Sequence, residues 1–135
     1  MTVETRLRVR YAETDQMGVV YHSHYIVWME IGRVEYCRSI GVRYRDMEEQ
    51  DGVLLAVAKV HCRFVAPARY DDEVNVATRV ARAHPRLVTF AYEMRRAEDA
   101  QLLAEGETTH VFCDRELRPR KLPAKYWGAF GIDAG

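Results

Sequence analysis

Residues 22–40 read HSHYIVWMEIGRVEYCRSI, and this stretch decides the fold because it carries a long helical pattern. The apolar residues that recur at three- and four-residue intervals are Tyr25, Trp28, Met29, Gly32, Tyr36 and Ile40. Further apolar residues widen this stripe: Ile26, Ile31, Val34 and Cys37. So broad an apolar surface predicts a helix that is largely surrounded by protein, and Gly41 is a plausible end for it.

Alternating patterns on both sides of this helix predict five strands. Before it, Leu7, Val9 and Tyr11 alternate with arginines. After it, alternation covers residues 59–64, 74–80, 88–95 and 104–112, with turns at residues 84–86 and 98–99. The small residues Ala104 and Gly106 in the last strand suggest close approach of the helix. We predict an α+β fold for a single domain over residues 1–135, with a five-stranded antiparallel sheet around one long helix.

Composition excludes several classes of protein. The 135 residues are 48% hydrophobic, which suits one domain with a core. Twenty basic and twenty acidic residues give zero net charge, which argues against a nucleic-acid partner. The longest apolar run is 53–58, too short for a membrane span, and the N-terminus has no signal-peptide core. Cys37, Cys62 and Cys113 are widely spaced, so we expect a cytoplasmic protein with neither a disulfide framework nor a metal site.

The charges are nevertheless unevenly distributed along the chain. An acidic cluster lies after the predicted helix, at Asp46, Glu48, Glu49 and Asp51, and we interpret this segment as a loop. A basic cluster lies near the C-terminus, at Arg115, Arg118, Arg120, Lys121 and Lys125. We expect the basic cluster to be free to face an anionic ligand, with the acidic loop elsewhere.

The candidate reactive groups lie in residues 11–25, which read YAETDQMGVVYHSHY. This segment places the Asp15 carboxylate and Gly18 just ahead of a helix N-terminus, where unpaired backbone N–H groups can polarise a carbonyl. A nearby carboxylate can attack the polarised carbon or take a proton from water. The alternative interpretation is an ordinary type I turn, because Asp at the first position and Gly at the fourth is a common turn signature.

The same segment resembles the signature of the hot-dog-fold acyl-CoA thioesterases, in the 4-hydroxybenzoyl-CoA thioesterase and YbgC-like group. The resemblance rests on Asp15, Gly18, Tyr21, His22 and Tyr25 at these spacings, and it extends over essentially the whole chain. It implies that Asp15 is the nucleophile or general base and that the His22 backbone N–H polarises the thioester carbonyl. It also implies that Gly18 gives the substrate room, while the Tyr21 and His22 rings either assist or simply pack at the helix entry.

An acyl-CoA substrate has phosphates, which require cations at the mouth of the site. Our candidates for binding them are Arg86, Arg118, Arg120 and Lys121. We expect no resident cofactor and no metal, since CoA belongs to the substrate. Sheet edges predict a homodimer, in which a second subunit completes the site. We expect dimers to assemble to a tetramer, but the sequence does not distinguish a tetramer from a dimer.

Other interpretations of individual residues and of the activity remain open at this point. Glu13 is a weaker rival to Asp15 and is expected to be a solvated turn acid, while His110 is expected to be a hydrogen-bonded core residue. The nearest alternative activity is a hot-dog hydratase or dehydratase, and the nearest non-enzyme is an acyl-CoA-binding module. The residues suit aromatic, short or branched acyl groups, carried either by CoA or by an acyl carrier protein.

Overall fold

The computed structural model describes residues 1–133 and contains a single five-stranded antiparallel sheet. The strands are β1 (Val3–Arg8), β2 (Leu54–Phe64), β3 (Glu73–His84), β4 (Leu87–Arg96) and β5 (Leu102–Cys113). The helices are α1 (Ser23–Ser39), α2 (Tyr44–Asp51) and α3 (Trp127–Phe130). The strand order is β1-β3-β4-β5-β2, so β1 and β2 are the two edges. No helix within residues 1–133 has the length and apolarity needed to cross a bilayer.

Helix α1 packs on one face of the sheet, against β3, β1 and β4. Its buried residues are Tyr25, Trp28, Met29, Gly32, Tyr36 and Cys37, which reproduces most of the predicted stripe. The absence of a side chain at Gly32 permits this close packing, because a Cβ there would lie 2.4 Å from the Thr78 Oγ1 atom.

Much of the other apolar surface of α1 is uncovered, although Cys37 is buried and Val34 is half-buried. Ile26, Val27 and Ile31 are 37%, 47% and 38% exposed. The prediction of a long, largely surrounded helix is therefore not met within one chain, where α1 has 17 residues and buries one face. The apolar residues on its other side remain available to something outside the described chain.

Two local predictions were wrong. Tyr11 does not belong to the first strand: β1 ends at Arg8, its last pairing partner on β3 being Glu73, and Tyr11 starts a short 3₁₀ turn in which it is 77% exposed. The acidic cluster is not a loop but forms α2, anchored in the core by Met47. The helix was missed because only one of its eight residues is buried, which leaves no periodic apolar signal.

The basic segment does not lie apart from the acidic one. Arg115 donates hydrogen bonds to the Glu48 and Glu49 carbonyl oxygens at 3.1 and 2.8 Å, and Lys125 Nζ lies 2.7 Å from Asp51 Oδ1. Cations stabilise the free carbonyl groups and the negative dipole at the C-terminal end of a helix. The two clusters therefore neutralise part of each other, contrary to the expectation from sequence.

Strand pairing gives the molecule two distinct ends. At the end of β2, Phe64 pairs with Ala104 on β5, which pairs in turn with Met94 on β4. At the start of β2, Leu54 pairs with Cys113, close to the turn between β3 and β4. We call these the Phe64 end and the Leu54 end, and they lie about 30 Å apart because they are the two ends of the 11-residue strand β2.

The small residue in β5 serves strand packing and not helix packing. A Cβ on Gly106 would lie 2.0 Å from the carbonyl oxygen of His61 and 3.0 Å from the Cα of Cys62, both in the backbone of β2. The expected close approach at this position is therefore real, but the element that approaches is the neighbouring strand.

We predict that Gly106→Ala destabilises the fold, because the β2 backbone must move to admit the methyl group. The expected loss is about 2 kcal/mol in the free energy of unfolding, measured by urea denaturation. Gly128→Ala is the matched control, since no atom lies within 4 Å of its added Cβ. Equal stability of the two variants would contradict this account of Gly106.

Candidate functional site

A cleft of about 380 Å³ opens at the Phe64 end of the sheet, beside the start of α1. One wall comes from the segment before α1 and includes Asp15, Tyr21 and His22. The opposite wall is the end of β2 and the residues after it, from Phe64 to Pro67. The structure thus brings Asp15, Tyr21 and His22 together, in a cavity whose walls are largely apolar.

Asp15 begins a tight turn. The Gly18 N–H donates to the Asp15 carbonyl oxygen at 2.9 Å, and Gly18 has φ +79°, which favours glycine. The side-chain Oδ1 accepts the Met17 N–H at 2.9 Å, and within residues 1–133 Oδ2 makes no hydrogen bond. The turn and the reactive interpretations are therefore compatible, because the turn holds one carboxylate oxygen and leaves the other available.

Backbone bonds fix this turn to the rest of the protein. Thr14 and Val20 form an antiparallel bridge, and Val19 forms another with Arg69. The Val20 N–H donates to the Ala68 carbonyl oxygen at 2.9 Å. The Asp15 loop is consequently fixed by backbone hydrogen bonds on both sides, unlike most surface loops, which are mobile.

The start of α1 supplies unpaired donors to the same cleft. His22 precedes the first helical residue and makes no side-chain cap. The first bonds of the helix entry come from His24 N–H to Tyr21 O and from Tyr25 N–H to His22 O. The N–H groups of His22 and Ser23 make no hydrogen bond within the described chain. They are oriented donors at the positive end of the helix dipole, suited to a carbonyl oxygen that gains charge.

Aromatic rings surround these donors. The Tyr21 and His22 rings lie 4.4 Å apart, and His22 meets Phe64 edge-on at 6.2 Å between centroids. Tyr25 packs between Trp28 and Phe64, and its hydroxyl accepts the Ala68 N–H at 3.2 Å. Tyr21 and His22 themselves are exposed, so both rings pack at the helix entry while facing the cleft.

The prediction that Glu13 is a solvated turn acid was wrong, because its side chain is buried and only 3% exposed. Burial raises the pKa of this carboxyl, but hydrogen bonds from the Arg10 N–H and the Trp28 Nε1 outweigh it, and the pKa lies below its usual value. One sequence signal could have indicated that Glu13 is buried. The apolar stripe of α1 places Trp28 on the buried side of the helix, and a buried indole N–H needs an acceptor such as a carboxylate.

The four candidate phosphate-binding residues are grouped at the Leu54 end, away from the cleft. Arg86 lies in the β3–β4 turn, and Arg118 and Arg120 flank Pro119, which bridges to Cys113. Arg118 pairs with Asp114 at 3.0 Å, and Arg120 donates to the Asp51 and Lys121 carbonyl oxygens. Arg86 and Lys121 have exposed side chains. The described chain brings these cations near one another but not near Asp15.

His110 is a core residue, as predicted. It is 1% exposed, and its Nε2 lies 2.9 Å from Thr108 Oγ1. Burial, helped by the nearby Arg33 charge, lowers the pKa of His110 to about 4. All three cysteines are free thiols, and residues 1–133 contain no group of three or more His, Cys, Asp or Glu side chains arranged for a metal ion.

The second wall of the cleft was missed in the sequence analysis. Phe64, Val65 and Pro67 looked like the end of a strand, and only the pairing of β2 with β5 places them opposite His22. Long-range strand order of this kind leaves no local pattern in the sequence.

Comparisons with known proteins agree with this architecture. The Thioesterase-like superfamily matches residues 9–127. The acyl-CoA thioester hydrolase YbgC of Escherichia coli is 32% identical over 122 residues, covering 87% of each chain. A hypothetical protein, TT1821, from Thermus thermophilus superposes with a TM-score of 0.90 at 40% identity, over 97% of this chain and 96% of that one.

A 1,4-dihydroxy-2-naphthoyl-CoA thioesterase from Synechocystis superposes with a TM-score of 0.88 at 26% identity, over 97% of this chain and 96% of that one. The match over residues 9–127 and the relatives named as thioester hydrolases confirm the family to which the sequence signature pointed. The chain has the hot-dog fold and belongs to the thioesterase-like superfamily.

Proposed function

We propose that the protein hydrolyses an acyl-CoA thioester to the free acid and CoA. The observation that carries this proposal is that one cleft is lined both by Asp15 and by His22, whose backbone N–H makes no hydrogen bond within residues 1–133. These are the two groups that acyl transfer needs, a nucleophile or base and an oxyanion donor. The names of the relatives, which include acyl-CoA thioester hydrolases, support the same reaction.

In the proposed reaction, the thioester carbonyl oxygen accepts a hydrogen bond from the His22 N–H. Asp15 then follows one of two routes. As a nucleophile, its Oδ2 bonds to the carbonyl carbon and the C–S bond breaks, so that CoA leaves as a thiolate and water cleaves the resulting anhydride. As a general base, Oδ2 takes a proton from water, whose oxygen attacks the carbon, and the leaving thiolate recovers the proton.

Neighbouring residues shape this site. Gly18 shapes the Asp15 turn through its positive φ; it does not line the cleft, and a Cβ there would meet no atom within 4 Å. The rings of Tyr21, His22 and Phe64 offer an apolar surface along which an acyl group can lie. Exclusion of water from that surface strengthens the hydrogen bond at the carbonyl.

A second copy of the chain accounts for the separation between the cleft and the cations. Strand β2 is a sheet edge, and on it Val57, Val60 and Phe64 are 54%, 41% and 49% exposed. A two-fold axis perpendicular to the sheet would pair β2 with its copy in antiparallel fashion. The Leu54 end of one subunit, with its cations, would then lie beside the Phe64 end of the other, so the CoA phosphates would be bound across the dimer.

Asp15→Asn tests the reaction directly. The amide keeps the shape and the turn but is neither a nucleophile nor a base, so we expect kcat for thiol release from acyl-CoA to fall by about three orders of magnitude. Asp46→Asn, the same change on α2, is the control and should keep its activity. The measurement is free-thiol release over a panel of acyl-CoAs.

Turnover of the Asp15→Asn variant close to that of the unmodified protein, on every acyl-CoA that the latter cleaves, would contradict the mechanism. Hydration of an enoyl-CoA without thiol release would indicate a hydratase. Thermal stabilisation by acyl-CoA with no turnover would indicate a binding module.

The cation cluster is tested with a double variant, Arg86→Gln and Lys121→Gln. It spares Arg118, which is paired with Asp114, and Arg120, which bonds to backbone carbonyl oxygens. We expect KM for acyl-CoA to rise about tenfold, because two charge-assisted contacts to phosphate are lost. KM for the matching acyl-pantetheine thioester, which lacks the nucleotide, should be unchanged. Equal effects on both substrates would contradict the phosphate-binding role, and Arg79→Gln, at an exposed residue of β3, is the control.

The dimer is tested with Val60→Glu, which places a charge on the exposed edge strand. We expect the unmodified protein to have twice or four times the mass of the chain by light scattering, and the variant to be smaller and inactive. Leu117→Glu, at another exposed apolar residue, should leave the mass unchanged. An unmodified protein that is monomeric and active would contradict the shared site.

A further inference from the structure

Glu13 is a buried carboxylate close to the cleft that the proposed reaction does not use. Its side chain is almost inaccessible, and each oxygen has a protein donor. Oε1 accepts the Arg10 N–H at 2.8 Å, and Oε2 accepts the Trp28 Nε1–H at 3.0 Å. The Arg10 guanidinium lies 3.6 Å from Oε1 and completes the surroundings. The carboxylate therefore has little room for a substrate.

The contacts of Glu13 connect parts of the chain that carry the reactive groups. Its backbone oxygen accepts the Tyr21 N–H at 2.9 Å, and Tyr21 immediately precedes His22. Its side chain reaches Trp28 in the second turn of α1, while Asp15 follows two residues later in the chain. One residue is thus bonded both to the helix that offers the N–H donors and to the segment that carries the carboxylate.

The negative charge on Glu13 strengthens its hydrogen bonds to Arg10 and Trp28. Burying a carboxylate is unfavourable unless strong hydrogen bonds compensate, and hydrogen bonds to an ionised acceptor are shorter and stronger than neutral ones. The pKa of Glu13 is below its usual value despite burial, so the group is ionised at neutral pH. Trp28, its partner, is 1% exposed and fixed by packing against Tyr25.

We propose that Glu13 is a positioning residue, whose carboxylate holds the start of α1 and the Asp15 loop at the separation that the reaction requires. This inference rests on the proposed function. Acyl transfer is sensitive to such placement, because a displacement of about 1 Å between reacting groups costs on the order of 100-fold in rate. Glu13 acts through Asp15 and the His22 N–H, and the substrate does not contact it.

The experiment uses Glu13→Gln, Trp28→Phe and the corresponding double variant. Glu13→Gln keeps the volume but removes the charge, and Trp28→Phe keeps an aromatic ring but removes the N–H donor. We expect kcat to fall about 10- to 100-fold in either variant, with KM within about twofold. The double variant should be no slower than the slower single one, because both changes break the same bond.

Two further measurements distinguish a loss of positioning from a general loss of folding stability in the Glu13 and Trp28 variants. Val53→Ala, in the core outside the cleft, is a destabilised control whose kcat should stay within about twofold at a temperature where every variant is folded. In nuclear magnetic resonance spectra, the Trp28 indole N–H signal should shift in Glu13→Gln. The Trp127 indole donates to the Leu122 carbonyl and serves as the unshifted reference.

A Glu13→Gln protein with unchanged kcat, or with a loss no larger than that of Val53→Ala, would overturn the inference. So would an unshifted Trp28 signal or fully additive effects in the double variant. If Glu13→Gln does not fold, Trp28→Phe carries the same test. Asp15→Asn is assayed in parallel: full activity there would overturn the proposed function itself, whereas its inactivity beside an unaffected Glu13→Gln would overturn this inference alone.

Discussion

The placement of the start of α1 against the sheet is the constraint on which the rest of the structure depends. Gly32 lets the helix lie close to β3, since any side chain there would collide with Thr78. That contact sets the depth of the helix, and the buried Tyr25 and Trp28 then fix its first turns. The start of the helix consequently lies beside the cleft that Asp15 also lines.

The two ends of the sheet have different chemistry. The Phe64 end carries a carboxylate, free backbone donors and aromatic rings. The Leu54 end carries arginines and lysines, and two of them, Arg115 and Arg120, bond to the C-terminal carbonyl groups of α2. Neither end alone offers groups for both parts of a ligand that has an acyl group and phosphates. The exposed apolar residues of β2 and α1 give a physical reason for two copies to combine these ends.

Periodicity in the sequence predicts the features that come from burial. The stripe of α1, the alternation of β3 and β5, and the core location of His110 agree with the structure, because burial repeats with the geometry of the element. In β4 every residue from Val88 to Tyr92 is buried, so the predicted alternation of buried and exposed residues is absent there. The family signature likewise indicated the superfamily to which the chain belongs. Asp15, Tyr21 and His22 were proposed together from that signature and line one cleft.

Features that depend on contacts distant in sequence were not predictable in this way. Helix α2 is polar apart from Met47, so its pattern resembles a solvated loop. Glu13 is buried because Trp28, fifteen residues later, offers it a donor. The position of the basic cluster follows from the pairing of β2 with β5 and from its bonds to α2.

The central claim is that the thioester carbonyl is bound by the helix start beside Asp15. The most direct measurement is a crystal structure of the Asp15→Asn protein with an uncleaved acyl-CoA. The account predicts the carbonyl oxygen about 3 Å from the His22 backbone nitrogen, with the carbonyl carbon next to the residue-15 side chain. An acyl-CoA bound with its thioester outside this cleft, away from both groups, would contradict it.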